Sequence, residues 1–209
     1  MVPVSTFFSR LLPNVIGCPE PLAQQALVDS AIALCDQALV VQVDLDPVPV
    51  LEGVRDYELE LPPQQQLSQV IRVWAGDSML CPIPSFQASG VDGPSGRPRY
   101  YFTRDVDEVL NIRLAPTPDQ PLDRLRIRVA TRPTRNATQL HRSLFDEWVD
   151  VVVDGALARL YDTPGQGYTN EAKALVLYQK VRAKINTARL EALRGRAVSS
   201  MSVTMRPFA

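Results

Sequence analysis

The stretch FDEWVDVVVDGALARLYD (residues 145–162), followed by TPGQGYTN and by EAKALVLYQKVRAKINTARLEALRG (residues 171–195), decides the fold of this chain. Both long segments carry apolar residues at three- and four-residue steps, the spacing of one buried helical face. These faces are Phe145, Trp148, Val149, Val152, Ala156 and Leu160 in the first segment, and Ala174, Tyr178, Val181, Ile185, Ala188 and Ala192 in the second. The sequence therefore predicts two helices joined by a glycine-rich turn, with Trp148 and Tyr178 anchored in the core.

Gly155 falls in the interior of the first of these helices. Glycine costs about 1 kcal/mol relative to alanine at such a position. A glycine inside a helix is typical of a place where another backbone comes close. We therefore expect a tight helix crossing at Gly155, with a kink as the alternative.

A further helix is predicted in CPEPLAQQALVDSAIALCDQAL, residues 18–39. Pro19 and Pro21 suit its opening turn, where a missing N–H has no intrahelical partner to lose. Its stripe of mostly small residues consists of Ala23, Leu27, Ala31, Leu34 and Ala38. Such a stripe allows close approach, so we expect this helix to pack on the C-terminal pair. Residues 1–18, which contain Pro3, Pro13 and Gly17, are predicted to be an extended lead-in.

The apolar period changes to two between about residue 43 and residue 133. Alternating strands are predicted at residues 57–61, 110–114 and 125–129, and a hairpin at residues 70–80. Strands joined by short turns favour an antiparallel sheet or small sandwich. The predicted fold is thus α+β. A helical bundle formed by residues 1–44 and 134–195 carries an inserted β domain, residues 45–133, and an extended C-terminal tail, residues 196–209.

The charge is divided unevenly along the chain. From residue 163 onward there are eight Lys or Arg against two Glu, a net charge of +6, while the whole chain has a net charge of −1. The first 162 residues therefore carry −7. A basic end on an acidic body suggests an acidic or polyanionic neighbour for that end. A solvated helix face with favourable placement at a helix C-terminus is the alternative.

Residues with catalytic chemistry are few and are not grouped. Cys18, Cys35 and Cys81 have no paired spacing, so we expect reduced thiols that are half or more buried. With His141 as the only histidine, a Cys/His zinc site is not expected. No nucleophile is recognisably spaced to pair with His141, which is predicted to be a surface or capping residue. We expect no catalytic, cofactor-binding or metal-binding residues, and no enzymatic activity.

Two further groups of charged residues lie in the predicted β domain. Asp105, Asp107 and Glu108 lack the spacing of a calcium loop and are predicted to lie in a solvated loop. The arginines that alternate in LRIRV (residues 125–129) fit either a nucleic-acid contact or the outer face of an exposed sheet.

No apolar run approaches the roughly 18 residues that span a bilayer. The N-terminus lacks the pattern of a signal peptide. We therefore expect a soluble protein made in a cytoplasm, with no membrane partner.

Segments spread over most of the chain carry a resemblance through their order. They are PNVIGCPEPLAQQALVDSAIALC, YELELPP, VIRVWAGDSMLCPIP, RPRYYF, LNIRLAPTP, LRIRVATRPTRNATQL, LFDEWVDVVVDGALARLYDTPGQGYTN and INTARLEALRG. In this order, from about residue 13 to residue 195, the chain resembles the head-to-tail adaptor proteins of tailed double-stranded DNA bacteriophages.

The resemblance implies a virion structural protein of the neck, made in the bacterial host cytoplasm. It implies a ring, typically of twelve copies, that joins the portal to the tail and forms part of the DNA channel. The helical domain would build the ring, and the β domain would face the tail nozzle or next tail protein. The residues implied to bind the portal are Arg196, Met201, Val203, Met205, Arg206 and Phe208. The residues of a basic helix face, directed to the portal or to packaged DNA, are Lys180, Arg182, Lys184, Arg189 and Arg194.

Other functions remain open at this stage. A head-closure or tail-completion protein of the same neck region would have a similar sequence. A non-enzymatic DNA-binding accessory protein would use the basic helix, and its affinity would fall steeply with salt. A small hydrolase using Cys18 or Cys35 is disfavoured because no base is spaced to activate either thiol.

Overall fold

The computed structural model describes residues 1–84, 94–106 and 109–194. Within these ranges the chain is a mixed α and β structure with several sheets, as the sequence predicts. The helices are α1 (Phe8–Leu11), α2 (Glu20–Ala38), α3 (Arg142–Asp146), α4 (Val149–Tyr161) and α5 (Glu171–Arg194). The strands are β1 (Val2–Pro3), β2 (Gln42–Asp44), β3 (Val48–Val50), β4 (Asp56–Glu58), β5 (Gln65–Ala75), β6 (Ser78–Met79), β7 (Cys81–Pro82), β8 (Tyr100–Val106), β9 (Val109–Ala115), β10 (Leu122–Pro133) and β11 (Gln139–Leu140).

The N-terminal segment is helical, so the predicted extended lead-in is wrong. A 3₁₀ turn at Val4–Phe7, helix α1 and a second 3₁₀ turn at Leu12–Asn14 follow one another. Phe7 and Leu11 are completely buried in the helical core. The proline at residue 13 is tolerated because it occupies the opening of a short turn, where its missing N–H breaks no hydrogen bond. Apolar residues at three- and four-residue steps then decide the local structure.

Helix α2 confirms the prediction from its proline-flanked start and apolar stripe. Pro19 precedes its first residue, and Pro21 lies in its first turn. All five residues of the predicted stripe are buried to 1% exposure or less: Ala23, Leu27, Ala31, Leu34 and Ala38. The helix ends where Leu39 adopts the left-handed conformation, with φ of 54°, and its N–H donates to the carbonyl of Cys35. Such a left-handed residue is a common helix stop.

The helix predicted from residue 145 is broken into two. Helix α3 ends at Asp146, and α4 begins at Val149 after Trp148, whose φ of −120° and ψ of 14° lie outside the helical region. Phe145 is tied to the N-terminal segment instead, because its ring meets that of Phe7 edge-on at 5.3 Å. Trp148 is half-buried against the same core. The predicted apolar face is therefore shared between two short helices.

Helices α2, α4 and α5 pack closely on one another around Gly155. An added Cβ at Gly155 would overlap the hydroxyl oxygen of Ser30 in α2 and would lie 3.3 Å from its Cβ. The same Cβ would lie 3.8 Å from Cγ1 of Val181 in α5. Ser30 is itself buried, at 5% exposure. The tight crossing predicted at Gly155 is confirmed.

Tyr178 is not a core residue, which corrects the sequence prediction. Its side chain is exposed, and its hydroxyl lies 3.4 Å from Oδ2 of Asp162 at the end of α4. Among residues 171–192 of α5 the buried side chains are instead Ala174, Ile185 and Ala188. Because two of these three residues are alanines, α5 lies close to α2 and α4. A tyrosine on the edge of such a narrow contact is displaced toward solvent.

The strands of the described residues form three sheets. In the largest, β10 lies between β5 on one side and β2 and β3 on the other, and β6 extends β5 as a hairpin. A second sheet has the order β4, β9, β8, β7, and a third joins β1 to β11. The pairs are antiparallel, as predicted, except for β7 with β8, which are parallel. The two larger sheets share one apolar cluster that includes Val73, Ile112, Leu125 and Val129.

The carboxylate of Asp36, near the end of α2, joins the helical core to the largest sheet. Asp36 accepts a hydrogen bond from Ser68 of β5 and a second one from Arg132 of β10, each at 2.7 Å. Each of the two carboxylate oxygens thus accepts a hydrogen bond from a different one of two neighbouring strands. This arrangement fixes the end of α2 against the largest sheet. The domain division at residues 44 and 134 stays a prediction.

The crossing at Gly155 generates a stability prediction. Gly155→Ala should lower the free energy of unfolding by about 1–3 kcal/mol, because overpacking against Ser30 outweighs the gain in helix propensity. Ser30→Gly in the same chain removes the atoms that the new methyl group meets. The double variant should therefore recover stability relative to Gly155→Ala. Urea unfolding followed by circular dichroism measures both changes, and additive losses in the double variant would contradict the crossing.

Candidate interaction surfaces

Helix α5 is a 24-residue helix that buries only a narrow edge. Between residues 171 and 192 its large apolar side chains include three that are widely exposed: Leu175 at 60%, Val176 at 63% and Leu190 at 49%. Exposed apolar groups that are grouped on one element mark an interaction surface more often than scattered ones do. Helix α5 is therefore the first candidate surface.

The predicted basic residues of α5 do not share a single face. Successive residues rotate by about 100° around a helix. Lys180 and Lys184 thus lie on one flank, while Arg182 and Arg189 lie on the other. Arg194 is the last residue of the helix.

Lys180 is already engaged within the chain. Its Nζ lies 2.7 Å from Oδ2 of Asp154 in α4, and this hydrogen bond raises the pKa of Lys180. Arg182, Lys184 and Arg189 are exposed and have no ion-pair partner in the part of the chain that the structure describes. These three side chains are among the positive charges that α5 offers to a neighbour.

The predicted portal-binding residues belong to the C-terminal segment. Arg196, Met201, Val203, Met205, Arg206 and Phe208 all lie outside the described residues. Their role therefore stays a prediction.

A groove of about 670 Å³ runs between α4 and α5 beside the N-terminal turns. Its apolar lining includes Val153, Leu157, Tyr161, Val176 and Leu177. Arg10 at its rim pairs with Asp150 at 3.0 Å, and Asp154 pairs with Lys180. Lys173 also lines the groove, and its Nζ lies 5.7 Å from the centre of the Tyr161 ring. This groove offers shape and apolar surface but little net charge.

A second groove, which we call the acidic groove, has a volume of about 560 Å³ and lies at the edge of the two larger sheets. Its floor is apolar and consists mainly of Val43, Leu45, Val48, Leu61 and Ile127. Its rim carries the carboxylates of Asp44, Asp46, Glu58 and Glu60. The last three of these are exposed and have no ion-pair partner among residues 1–84, 94–106 and 109–194. The groove therefore combines an apolar floor with uncompensated negative charge.

The arginines that alternate in β10 are engaged in contacts within the chain. Arg128 donates two hydrogen bonds to Asp44, at 2.6 and 2.8 Å, and this contact holds the pKa of Asp44 below its usual value. The guanidinium of Arg126 lies 5.7 Å from the centre of the Trp74 ring and donates to the carbonyl of Gly76. Both arginines therefore lie on the outer face of the sheet and are engaged there, which is one of the two interpretations that the sequence leaves open.

The comparison with known protein families covers nearly all of the chain. The family model described as SU10 adaptor protein matches residues 8–206. The chain belongs to the SU10 adaptor protein family. The matched residues include the β segment and all three long helices, while strand β1 and the turn at Val4–Phe7 precede them. The family supports a structural adaptor protein of bacteriophages. No curated protein matches the chain.

The three cysteines differ in burial. Cys35 is completely buried, and burial raises the pKa of its thiol to about 12, followed by a smaller effect of Asp36. A thiol with this pKa stays protonated at neutral pH and is a poor nucleophile. Cys18 is half-buried, whereas Cys81 is exposed and so departs from the expectation of thiols that are half or more buried.

The described residues contain neither a candidate metal site nor a membrane-spanning helix. No group of three or more His, Cys, Asp or Glu is placed there so that it could hold a metal ion. No helix in the same ranges is long and apolar enough to cross a membrane. Asp105 lies in strand β8, while Asp107 and Glu108 of the predicted solvated loop are outside the described residues.

His141 is a helix cap, which confirms one of the two roles predicted for it. The residue precedes α3, and its Nδ1 accepts a hydrogen bond from the backbone N–H of Ser143 at 3.3 Å. Partial burial lowers the pKa of His141, with a smaller contribution from the N-terminal ammonium group. An Nδ1 that accepts this bond must be unprotonated, which agrees with the direction of the shift.

The lowered pKa of His141 makes a prediction about pH. Below about pH 6.5 the unfolded chain binds a proton at this residue before the folded chain does, so stability falls as pH decreases. His141→Asn keeps a capping side chain but removes the titration. The loss of melting temperature between pH 7.5 and pH 5.5 should therefore be smaller in the variant than in the wild type. Because the chain has one histidine, equal losses would contradict this role.

Proposed function

We propose that this protein is a head-to-tail adaptor that assembles into a ring between the portal and the tail of a bacteriophage. The family match over residues 8–206 carries the proposal. In this proposal the ring contains about twelve copies, as the resemblance of the sequence to such adaptors implies. The ring surrounds part of the channel through which DNA passes, and the tail nozzle or next tail protein binds on its far side.

The packing of the long helices supports a role in assembly. Helices α2, α4 and α5 enclose one apolar cluster, and we propose that they act as the helical bundle that builds the ring. The outer surface of α5 carries Leu175, Val176 and Leu190 in contact with solvent. Burying such side chains contributes roughly 1.5–3 kcal/mol each relative to leaving them exposed. Contacts between copies would recover this contribution.

The β segment supports a second contact in the same assembly. It has its own apolar cluster, distinct in most of its members from that of the helices, and is attached to α2 through Asp36. A unit with its own core can present loops and grooves without disturbing the ring-forming helices. We propose that residues 45–133 face the next tail component, while residues 1–44 and 134–195 form the ring.

An adaptor of this kind acts through interfaces and needs no nucleophile, metal ion or cofactor. The proposal is therefore a non-enzymatic structural protein, made in the bacterial host cytoplasm and located in the neck of the virion. The C-terminal residues 196–209 are proposed to bind the portal protein. The basic side chains of α5 are proposed to face either acidic protein surfaces or packaged DNA.

Electron microscopy of the protein mixed with its portal tests this function. The full chain should produce portals capped by a ring with the rotational symmetry of the portal. Deleting residues 196–209 should leave the thermal unfolding curve nearly unchanged but abolish capping, because those residues are proposed to hold the portal and not the core. A matched control replaces the same residues by a shuffled sequence of equal composition.

Three outcomes separate the alternatives. A full chain that leaves portals uncapped contradicts the adaptor function. A chain that binds only to portals already carrying another ring indicates a head-closure protein. Capping by the truncated chain would keep the adaptor function but would assign the portal contact to other residues.

A further inference from the structure

The outer face of α5 has a regular pattern that the core does not use. At alternating steps of four and three residues, the helix carries uncharged side chains that are all exposed: Ala172, Val176, Gln179, Ala183, Asn186 and Leu190. This spacing is the one by which a helix presents a continuous seam to a neighbouring element. The buried edge of the helix, at Ala174, Ile185 and Ala188, lies on the opposite side. The seam therefore points away from this buried edge, and at its N-terminal end Ala172 and Val176 also line the groove between α4 and α5.

Both flanks of this seam are positively charged. Lys173 and Lys180 follow one side, where Lys180 pairs with Asp154, and Arg182 and Arg189 follow the other. Glu191 and Glu171 lie at the ends of these two flanks, so each flank is basic in balance. In a parallel seam-to-seam pair of α5 helices, the lysine flank of one helix would face the arginine flank of the other, and these like charges would repel. The pattern therefore calls for a different surface, with an apolar centre and an acidic border.

The acidic groove has these properties in the same chain. Its floor is apolar, and the unpaired carboxylates of Asp46, Glu58 and Glu60 border it. Within one chain the two surfaces do not meet, since no residue of α5 lines this groove and the seam is exposed. The complementary surfaces are thus available only to different copies.

We propose that the seam of α5 docks in the acidic groove of a second copy of this chain. Val176 and Leu190 then cover the apolar floor, while Arg182 and Arg189 meet the carboxylates of the rim. Each copy uses a different surface toward each neighbour, which is a head-to-tail contact that closes into a ring when the rotation allows. The inference rests on the proposed ring and assigns its interface.

Paired charge reversals test the contact. One variant carries Arg182→Glu and Arg189→Glu, and the other carries Glu58→Arg and Glu60→Arg. Each variant alone should assemble with a dissociation constant raised by about tenfold or more, because like charges then face each other across the contact. Mixing the two in equal amounts should restore assembly, since each reversed surface finds its complement on the other variant.

The matched control reverses two exposed carboxylates, Asp77→Arg and Asp119→Arg, that do not line the acidic groove. It changes the net charge as much as the groove variant does and should assemble like the wild type. Sedimentation velocity over a range of concentrations measures assembly, and circular dichroism confirms that each variant is folded. Val176→Glu provides a second test of the same seam, with the same expected loss.

The results separate this contact from the ring itself. Wild-type assembly in both reversed variants would overturn the docking of α5 while leaving the adaptor function intact. Failure of the mixture to assemble, with both variants folded, would also overturn it. A wild-type chain that stays monomeric with and without its portal would overturn the contact and the proposed function together.

Discussion

The backbone of α4 lies directly against Ser30 of α2 because Gly155 has no Cβ to keep the two helices apart. This contact sets the spacing of the helical core. With α4 held close to α2, the small residues Ala174 and Ala188 suffice to seat α5 along the same pair. A long helix held by such a narrow edge leaves most of its surface free. The exposure of α5 therefore goes with its narrow contact on the helix pair that crosses at Gly155.

The second constraint is the attachment of the sheets to this core. Asp36 extends from α2 to two neighbouring strands, so the carboxylate fixes the direction in which the β segment leaves the helices. The acidic groove is built on that segment and thus has a defined position relative to α5. A rigid angle between the two surfaces is what a closed ring requires, since the rotation from one copy to the next must be constant.

The sequence predicted the elements whose period is long and unbroken, including α2, α5 and the paired strands. It did not predict the N-terminal turns, because the prolines there hid the helical spacing of Phe7 and Leu11. The apolar period of α5 predicts that Tyr178 lies in the core. The rotation of α5 on its neighbours instead puts this side chain at the edge of the contact with α4. The acidic groove could not be predicted, because Asp46 and Glu58 meet only through long-range strand pairing.

The central claim is that α5 is covered by another copy when the protein assembles. Hydroxyl-radical footprinting with mass spectrometry measures this directly, as side chains react in proportion to their exposure to solvent. The account predicts that Val176 and Leu190 lose most of their reactivity on assembly. Leu27, which is buried in α2, should be unreactive in both states. Unchanged reactivity of Val176 and Leu190 in the assembled particle would contradict the account.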